Sequence, residues 1–395
     1  MADTKKAWSV CMAAWFAGVA LACVQNKVTP IISTLIQDFH VSMSVAGWLS
    51  SVFAVMCILI ALPAASIMQK IGAKWTGVLA LAISSAGTLL GLMTHDVSIL
   101  MLSRVIEGFG VGIIVVVGPS LISMWFPPEQ RGLPMGIWTT FMILSQSLLF
   151  LIADPIVARW GWQGIWIFSL VFSLLAILVF IWKVEEPPAV TSQAAVGGPS
   201  VSIWEGMRNS NAAWLLALSA MFFAVTSFGF VSWISPYWSQ VNHWTMSVTE
   251  NWVSLLYSLE LVYAVVIGFV LNKVVNRKAL GLVGYVIYAL LALACFMATR
   301  SSTIILLIFI FPIFDTLAAC INWTLAPQAA SKPEYTNLSI SILNIGLNTG
   351  TLLGAPVIGW VIEKQGSTAG GLALATSALL AMLFLALTRL NKPRL

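Results

Sequence analysis

The sequence predicts an all-α membrane protein with twelve transmembrane helices in two pseudo-symmetric six-helix bundles. Hydrophobic residues make up 59% of its 395 residues and charged residues only 8%, whereas a soluble domain has about 25% charged residues. The chain also divides into apolar runs separated by short polar breaks. Each run is long enough to cross a bilayer as a helix, which takes about 20 residues. Both observations exclude a soluble globular protein.

A polar stretch divides the apolar runs into two sets of six. Residues 184–211 are rich in Pro, Ser, Gly and charge, which is typical of an extramembrane linker. The predicted domains are an N-terminal six-helix bundle at 1–183, this cytoplasmic linker, and a C-terminal six-helix bundle at 212–395. The spans are predicted at 8–36, 46–69, 75–94, 98–126, 132–157, 163–183, 212–240, 249–272, 279–299, 302–326, 337–362 and 368–389.

The basic residues predict the orientation of the spans. If both termini are inside, 14 of the 19 Lys and Arg residues fall in inside loops and only Arg159, Arg300 and Lys364 fall in outside loops, while Lys27 and Arg104 lie within spans. An excess of Lys and Arg marks cytoplasmic loops. We therefore expect a multi-pass protein of the cytoplasmic (inner) membrane with both termini cytoplasmic. The first run lacks a small-residue cleavage site, so we expect this helix to be retained.

The two halves of the chain repeat. Met43-Ser44-Val45 recurs as Met246-Ser247-Val248, at an offset of 203 residues. Four further pairs match at the same offset: Lys70 with Lys273, Lys74 with Arg277, Ala65 with Gly268, and Gln69 with Asn272. The set indicates internal duplication. Duplicated membrane halves that rock against each other around a central site are a transporter architecture.

The fourth predicted span carries charge inside an apolar run. Arg104 and Glu107 lie well within it, and charges at membrane depth usually face a partner or a water-filled cavity. Gly108, Gly110 and Gly112 follow. We expect these glycines to leave one face of the helix smooth, so that a neighbouring helix can approach closely.

Lys27 in the first predicted span is expected to meet this charged pair. At a rise of about 1.5 Å per residue, Lys27 lies roughly 13–18 Å and Glu107 about 13 Å below the outer surface. A Lys27–Glu107–Arg104 network between spans one and four would carry one net positive charge. It could hold the two helices in register, or its surplus cation could attract an anionic substrate, and the two interpretations are compatible.

Two carboxyl groups lie near the midplane of the second half. Glu260 falls in the eighth span and Asp315 in the tenth, and neither has an obvious basic partner there. A buried carboxyl that can bind and release a proton is what proton coupling requires. The alternative is a packing role, with each group protonated or hydrogen-bonded to Asn322, Tyr257 or Tyr263.

Other polar and aromatic residues are candidates for substrate binding. Asn344 and Asn348 are four residues apart in the eleventh span and so share a helix face. Trp233 and Trp323 are candidates for the wall of an aromatic site. Interhelical contacts for the asparagines, and interfacial anchoring for the tryptophans, are the alternatives.

The chain resembles the major facilitator superfamily. The resemblance rests on the six-plus-six spans, on Arg104 with its acid and spaced glycines, and on the loop after the second span. That loop keeps the basic residues and the central glycine of the family, but Ala65 and Gln69 replace a glycine and an acid. In the family this loop latches the cytoplasmic side. The resemblance therefore implies gating roles for Gln69, Lys70, Gly72, Lys74, Asn272 and Lys273.

The resemblance implies a secondary active transporter that works by alternating access. Together with Lys27 and Arg104, it favours a small organic or inorganic anion as substrate, with Asp315 or Glu260 as an optional proton site. Several tracts, including the WGWQG turn, look most like the cyanate permease and nitroimidazole transporter branch. The alternatives are an exporter of drugs or neutral or cationic metabolites that uses the buried carboxylates, and a non-transporting membrane sensor on the same scaffold.

Other classes of function find no support in the sequence. There is no phosphate loop and no pair of histidines at metal spacing, so we expect neither an enzyme nor a metal or cofactor. The five cysteines lie in apolar stretches and are expected to be packing residues. Basic residues are scattered singly, which is unlike a nucleic-acid surface. The expected partners are a small molecule, protons and the lipid bilayer, and a monomer is expected.

Overall fold

The structure, a computed structural model, describes residues 4–60, 63–127, 130–185, 210–332 and 335–390. The side chains of Ala65, Asn272, Thr336 and Asn337 are not among those described. The predicted linker at 184–211 falls, apart from its first two and last two residues, outside the described part. Within the described ranges every regular element is a helix, and twelve helical segments are long and apolar enough to cross a membrane. The predicted fold class is confirmed.

The helices before the linker divide two of the predicted runs: the second, 46–69, is interrupted at Val52, and the fifth, 132–157, is interrupted at Thr140. The fourth and sixth spans begin and end within a residue of the prediction. The helices are α1 (Thr4–Asn26), α2 (Ile32–Phe39), α3 (Met43–Ser51), α4 (Phe53–Ile60), α5 (Pro63–Leu92), α6 (Val97–Trp125), α7 (Gly132–Thr139), α8 (Phe141–Trp160) and α9 (Gln163–Lys183).

The helices after the linker are longer and less interrupted. Each corresponds to one predicted span. They are α10 (Asn211–Asn242), α11 (Met246–Lys273), α12 (Arg277–Met297), α13 (Ser301–Leu325), α14 (Thr336–Gln365) and α15 (Ser367–Leu387), with a 3₁₀ turn at Ala326–Ala329.

The helices gather into two compact units. The first comprises Met1–Phe39 and Val52–Gly197, and the second comprises His40–Ser51 and Gly198–Leu395. α3 precedes the linker but packs in the second unit. There, a Cβ on Gly47 would lie 2.6 Å from the backbone of Ala355 and Pro356 in α14, and Ser51 Oγ donates to the Leu352 carbonyl oxygen at 2.8 Å.

The first predicted span is not one continuous helix, which corrects the prediction of an unbroken run at 8–36. α1 ends at Asn26, Lys27 and Val28 form a turn, and a short 3₁₀ segment, Thr29–Ile31, leads into α2. Pro30 accounts for the break, because its nitrogen carries no hydrogen to donate to the Asn26 carbonyl four residues earlier. Lys27 therefore lies at the unwound point of the span.

The glycines of α6 were expected to lie on one face of the helix, but they lie on two faces and allow two neighbouring helices to approach. A Cβ on Gly108 would collide with the Phe53 carbonyl oxygen in α4, and one on Gly110 would collide with the Ala80 carbonyl oxygen in α5. Gly112 faces Cys57 and Ile60, on the same side as Gly108. The reason is helical geometry: residues four apart share a face, whereas residues two apart point about 200° away from each other.

Candidate functional site

Three charged side chains meet in the first unit, and we call them the basic cluster: Lys27, Arg104 and Glu107. Lys27 Nζ lies 2.6 Å from Glu107 Oε1, and Arg104 Nη1 lies 2.5 Å from Glu107 Oε2. All three side chains are 0% exposed. The predicted Lys27–Glu107–Arg104 network is therefore present, with Glu107 holding one cation on each of its two oxygens.

Arg104 is also bonded to the broken end of α1. Its Nη1 donates to the Val24 carbonyl oxygen and its Nη2 to the Gln25 carbonyl oxygen, each at 2.6 Å. The last carbonyls of a helix lack partners within it and carry a partial negative charge. Arg104 satisfies two of these carbonyls, so the guanidinium acts as a cap that joins α6 to the point where the first span unwinds.

Three further helices, α4, α5 and α9, enclose the basic cluster. Lys27 Nζ lies 3.3 Å from Thr88 Oγ1 of α5 and 4.4 Å from the ring centre of Trp166 in α9. The Arg104 guanidinium lies 5.4 Å from the Phe53 ring in α4. Gly87 of α5 leaves the space for Glu107, since a Cβ there would lie 3.0 Å from Glu107 Cγ. Side chains from these neighbouring helices therefore hold the charged groups of the cluster in defined positions.

The basic cluster carries one net positive charge inside an apolar unit. Two cations face one carboxylate, and the carbonyls of α1 and the aromatic ring of Trp166 offset part of the surplus. Taking ions out of water is costly, and the cost is recovered only with full hydrogen bonding. In this structure the cluster is closed, so an anion could touch Lys27 or Arg104 only if Glu107 moved away.

A second group, the carboxyl cluster, lies in the second unit and consists of Glu260, Asp315, Tyr288 and Ser227. Glu260 of α11 and Asp315 of α13 are hydrogen-bonded to each other. Tyr288 Oη of α12 donates to Asp315 Oδ1, and Ser227 of α10 lies close to the same carboxyl. Glu260 and Asp315 are 6% and 7% exposed. Among the described residues no Lys or Arg forms an ion pair with either carboxyl.

Sequence reasoning missed Tyr288 as the partner of Asp315. It offered Tyr257, Tyr263 and Asn322 instead, but Tyr263 Oη donates to the Phe309 carbonyl oxygen. Asn322 donates to Tyr285, at 2.8 Å. The available signal was a pair of tyrosines, Tyr285 and Tyr288, one turn apart in an otherwise apolar span.

The two asparagines of α14 contact each other as their spacing predicts. Asn348 Nδ2 donates to the backbone oxygen of Asn344 at 2.9 Å and to its side-chain Oδ1 at 3.1 Å. Both residues are half-buried. They form a hydrogen-bonded polar pair on one face of α14.

The two tryptophans proposed for an aromatic wall differ from each other. Trp233 is 1% exposed, and its Nε1 donates to the Ala355 carbonyl oxygen at 2.8 Å. It packs α10 against α14 inside the second unit, so the structure gives it an interhelical role instead of a place on an open wall. Trp323 of α13 is 48% exposed.

The residues assigned to gating lie where the second and third spans meet and at the end of α11. Gly72 adopts φ +80°, a conformation that glycine tolerates readily, and the chain turns there inside the element that runs from Pro63 to Leu92. Gln69 and Lys70 are exposed and Lys74 is half-buried. In the second half Lys273 is exposed, and the side chain of Asn272 lies outside the described residues.

No metal site can be built from the described part of the chain. It holds no group of three or more His, Cys, Asp or Glu residues that could bind an ion. The five cysteines are free thiols, four buried and Cys320 half-buried.

Solved structures share this fold over almost the whole chain. The crystal structure of a bacterial homologue of the human lysosomal transporter Spinster, in an inward-facing and occupied conformation, matches with a TM-score of 0.79. The match covers 96% of both chains at 17% sequence identity. At that identity the likeness shows the fold alone.

Curated relatives match at low identity. The riboflavin transporter RibZ of Clostridioides difficile (strain 630) is 23% identical over 171 residues, which is 43% of this chain and 38% of the relative. A putative tartrate transporter of Agrobacterium vitis is 24% identical over 376 residues, 86% of this chain and 83% of the relative. The chain spans only 36% to 56% of the length of the first curated relatives that it matches.

A family model covers most of the sequence. The model described as Major Facilitator Superfamily matches residues 11–337, which include both clusters, the turn at Gly72, most of the first span and the nine spans that follow it. The chain belongs to the Major Facilitator Superfamily, whose members are transporters and not enzymes.

Proposed function

We propose that this protein is a proton-coupled secondary transporter that moves a small organic or inorganic anion across the membrane by alternating access. The observation that carries the proposal is the separation of buried charge into two clusters. The first unit buries a surplus cation, and the second buries two carboxyls without a basic partner among the described residues. Each arrangement is costly for folding alone, and each suits one half of anion–proton transport.

The basic cluster supplies the attraction for the anion. Its positive field acts through low-dielectric surroundings, where charge is screened far less than in water. Glu107 serves as the exchangeable counter-ion of Lys27 and Arg104. Of the two cations, Lys27 is the freer to respond, since Arg104 is also committed to the carbonyls of Val24 and Gln25.

The carboxyl cluster supplies the coupling. A hydrogen bond between two carboxyl groups requires a proton on one of them, because an ionised carboxylate has no donor. The pair would then carry one exchangeable proton, and loss of that proton would leave two like charges in contact. Such a site changes its geometry with its protonation state, which links proton uptake to helix movement.

The proposed substrate class agrees with one relative named for a carboxylate, the putative tartrate transporter. A narrower assignment, to the cyanate permease and nitroimidazole transporter branch, rests on the sequence tracts alone. We therefore propose the class of small anions and leave the individual substrate to a screen.

A thermal-shift screen tests the anion site. Purified protein is heated with sodium nitrate, cyanate, tartrate, acetate or sulfate, and with tetraphenylphosphonium as a cationic probe. We expect at least one anion to raise the melting temperature of the wild type and to lose that effect in Lys27→Met, which leaves the Arg104–Glu107 pair neutral. Lys364→Met, at an exposed position near the end of α14, is the matched control. An anion that shifts all three proteins equally contradicts the proposal.

Uptake into proteoliposomes tests the coupling. The anion found in the screen is supplied with and without an imposed pH gradient. We expect the gradient to stimulate uptake in the wild type and to have no effect in the double variant Glu260→Gln, Asp315→Asn. Uptake that ignores the gradient in the wild type would leave a transporter without proton coupling.

The carboxyl cluster also favours a second candidate, an exporter of drugs or neutral or cationic metabolites. In that case tetraphenylphosphonium would shift the melting temperature, and Glu260→Gln would abolish the shift while Lys27→Met would not. A sensor on the same scaffold is distinguished by binding without uptake of any ligand from the screen.

The proposed orientation in the membrane and the proposed oligomeric state rest on the sequence. The Lys and Arg distribution supports cytoplasmic termini in the cytoplasmic membrane, and we propose a monomer. Accessibility of single cysteines placed in the loops to a membrane-impermeant maleimide tests the orientation, and light scattering in detergent tests the assembly.

A further inference from the structure

We infer that the two carboxyls of the second unit have different roles: Glu260 carries the exchangeable proton, Asp315 is its permanently ionised acceptor, and Tyr288 is the positioning residue that keeps Asp315 ionised. The inference rests on the proposed function and deepens it, because it says where in the carboxyl cluster the proton resides. It is carried by the unequal hydrogen bonding of the two groups.

Asp315 is surrounded by donors. Tyr288 Oη donates to its Oδ1, Ser227 of α10 lies beside it, and the bond with Glu260 of α11 is shared by the two carboxyls. Hydroxyl groups that donate to a carboxylate stabilise its ionised form, and such charge-assisted bonds are about twice as strong as neutral ones. Three neighbours on three helices therefore converge on one carboxylate and hold it in place.

Glu260 has no comparable support. Its recorded hydrogen bond is the one to Asp315. In a desolvated site the carboxyl with fewer donors is the one that keeps a proton, since ionising it would create an unsupported charge beside an existing one. The proton of the pair accordingly lies on Glu260, which donates it to Asp315.

The groups that face Glu260 from the packed helices agree with this assignment. Tyr257 of α11, Tyr288 of α12 and Asp315 of α13 lie close to Glu260. Tyr285 of α12 and Cys320 of α13 lie close to Asp315. None of these is a cation. Release of the Glu260 proton would therefore leave a carboxylate next to Asp315 with no counter-charge from the described residues, and the side chain would have to swing away.

Infrared difference spectroscopy on the purified protein tests the inference. A protonated carboxyl has a carbonyl stretch well separated from that of a carboxylate. At neutral pH we expect Glu260→Gln to remove one such band from the wild-type spectrum and Asp315→Asn to retain it. The reverse pattern, with the band kept in Glu260→Gln and lost in Asp315→Asn, overturns the assignment, and so does a wild-type spectrum without the band.

Tyr288→Phe tests the positioning role, with Tyr285→Phe as the matched control on the same helix. Both tyrosines are fully buried, but Tyr285 is bonded to Asn322. We expect Tyr288→Phe to move or split the Glu260 band, because Asp315 becomes a competing site for the proton, and Tyr285→Phe to leave it unchanged. Equal effects of the two variants would reduce Tyr288 to a packing residue.

The infrared measurement needs neither substrate nor gradient. Its result therefore fails or holds independently of the proteoliposome assay: a Glu260 band without gradient-driven uptake keeps the proton assignment and rejects coupling. Gradient-driven uptake with the band on Asp315 keeps coupling and rejects the division of roles.

Discussion

Arg104 Nη2 donates a hydrogen bond of 2.6 Å to the backbone oxygen of Gln25, at the point where the first membrane span breaks. The arginine lies on α6 and the carbonyl belongs to the last turn of α1. An unsatisfied carbonyl at membrane depth costs several kcal/mol. The break at Lys27 and the arginine of the fourth span therefore depend on each other.

Arg104→Lys is expected to destabilise the protein although the charge is kept. A lysine ammonium lacks the planar fork that reaches Glu107 and two carbonyls together. Each buried carbonyl left unpaired costs about 1–3 kcal/mol. The apparent melting temperature in detergent should fall clearly below that of the wild type, and it should fall further in Arg104→Ala, where loss of a buried ion-pair partner costs about 3–5 kcal/mol.

The control is Arg159→Lys, at an exposed position near the end of α8. A surface substitution of this kind is expected to change stability by about 0.5 kcal/mol or less. If Arg104→Lys melts at the same temperature as Arg159→Lys, the capping role of Arg104 is wrong.

Removing Glu107 should be worse than removing Lys27. Glu107→Gln leaves two buried cations without their carboxylate, at a cost of about 3–5 kcal/mol. Lys27→Met leaves the Arg104–Glu107 pair intact. We therefore expect the double variant Lys27→Met, Glu107→Gln to melt at a higher temperature than Glu107→Gln alone. Melting temperatures of the three variants form a double-mutant cycle, and additive losses would show that the charges do not interact.

Gly47→Ala is expected to disturb the packing of α3 on α14. The added methyl would lie 2.6 Å from the backbone of Ala355 and Pro356, and backbone atoms cannot turn aside as a side chain can. Gly268→Ala is the matched control, since nothing lies within 4 Å of a Cβ there. In the control the better helix propensity of alanine adds up to about 1 kcal/mol. Opposite shifts in melting temperature are expected, and equal shifts would contradict the close approach.

Asp96 caps the helix that carries Arg104 and Glu107. Its Oδ1 accepts hydrogen bonds from the backbone nitrogens of Ser98 at 2.7 Å and Ile99 at 3.2 Å. These bonds hold the pKa of the exposed Asp96 carboxyl below its ordinary value of 3.8. Because the folded-state pKa is lowered, the stabilisation is present above pH 3.8 and is lost as the pH falls below it towards the folded-state value.

Asp96→Asn separates the cap from its charge. Asparagine caps helices about as well as aspartate, but it does not titrate. The difference in melting temperature between the wild type and Asp96→Asn should therefore shrink as the pH is lowered from 5 through the acid range. A difference that stays constant with pH would show that the charge of Asp96 contributes nothing.

The two clusters were predictable to different degrees. The level shared by Lys27 and Glu107 follows from helical rise and span ends, and the structure joins the two side chains at 2.6 Å. The bond between Tyr288 and Asp315 did not follow, because depth alone does not say which faces of α12 and α13 meet. In an apolar span every face is hydrophobic, so periodicity carries little information about helix rotation.

The unpredictable rotation of each helix also explains the other differences between prediction and structure. The glycines of α6 were expected on one face, but Gly108 and Gly110 admit two different helices. Trp233 was a candidate for the wall of an aromatic site, and its Nε1 donates to the Ala355 carbonyl oxygen of α14. Which side chain faces a neighbour and which faces lipid depends on how each helix is turned about its own axis.

By itself, the sequence determined the membrane class, the twelve spans and the bounds of most of them, since the bilayer imposes a length and an apolar composition on each span. It also marked Lys27, Arg104, Glu107, Glu260 and Asp315 as the buried charges that need a physical reason. Only the tertiary structure decided their partners: the carbonyls of the broken first span for Arg104, and Glu260, Tyr288 and Ser227 for Asp315. Those partners come from other helices. The rotation of each helix that brings them together is set by packing, and the apolar pattern of one span does not predict that rotation.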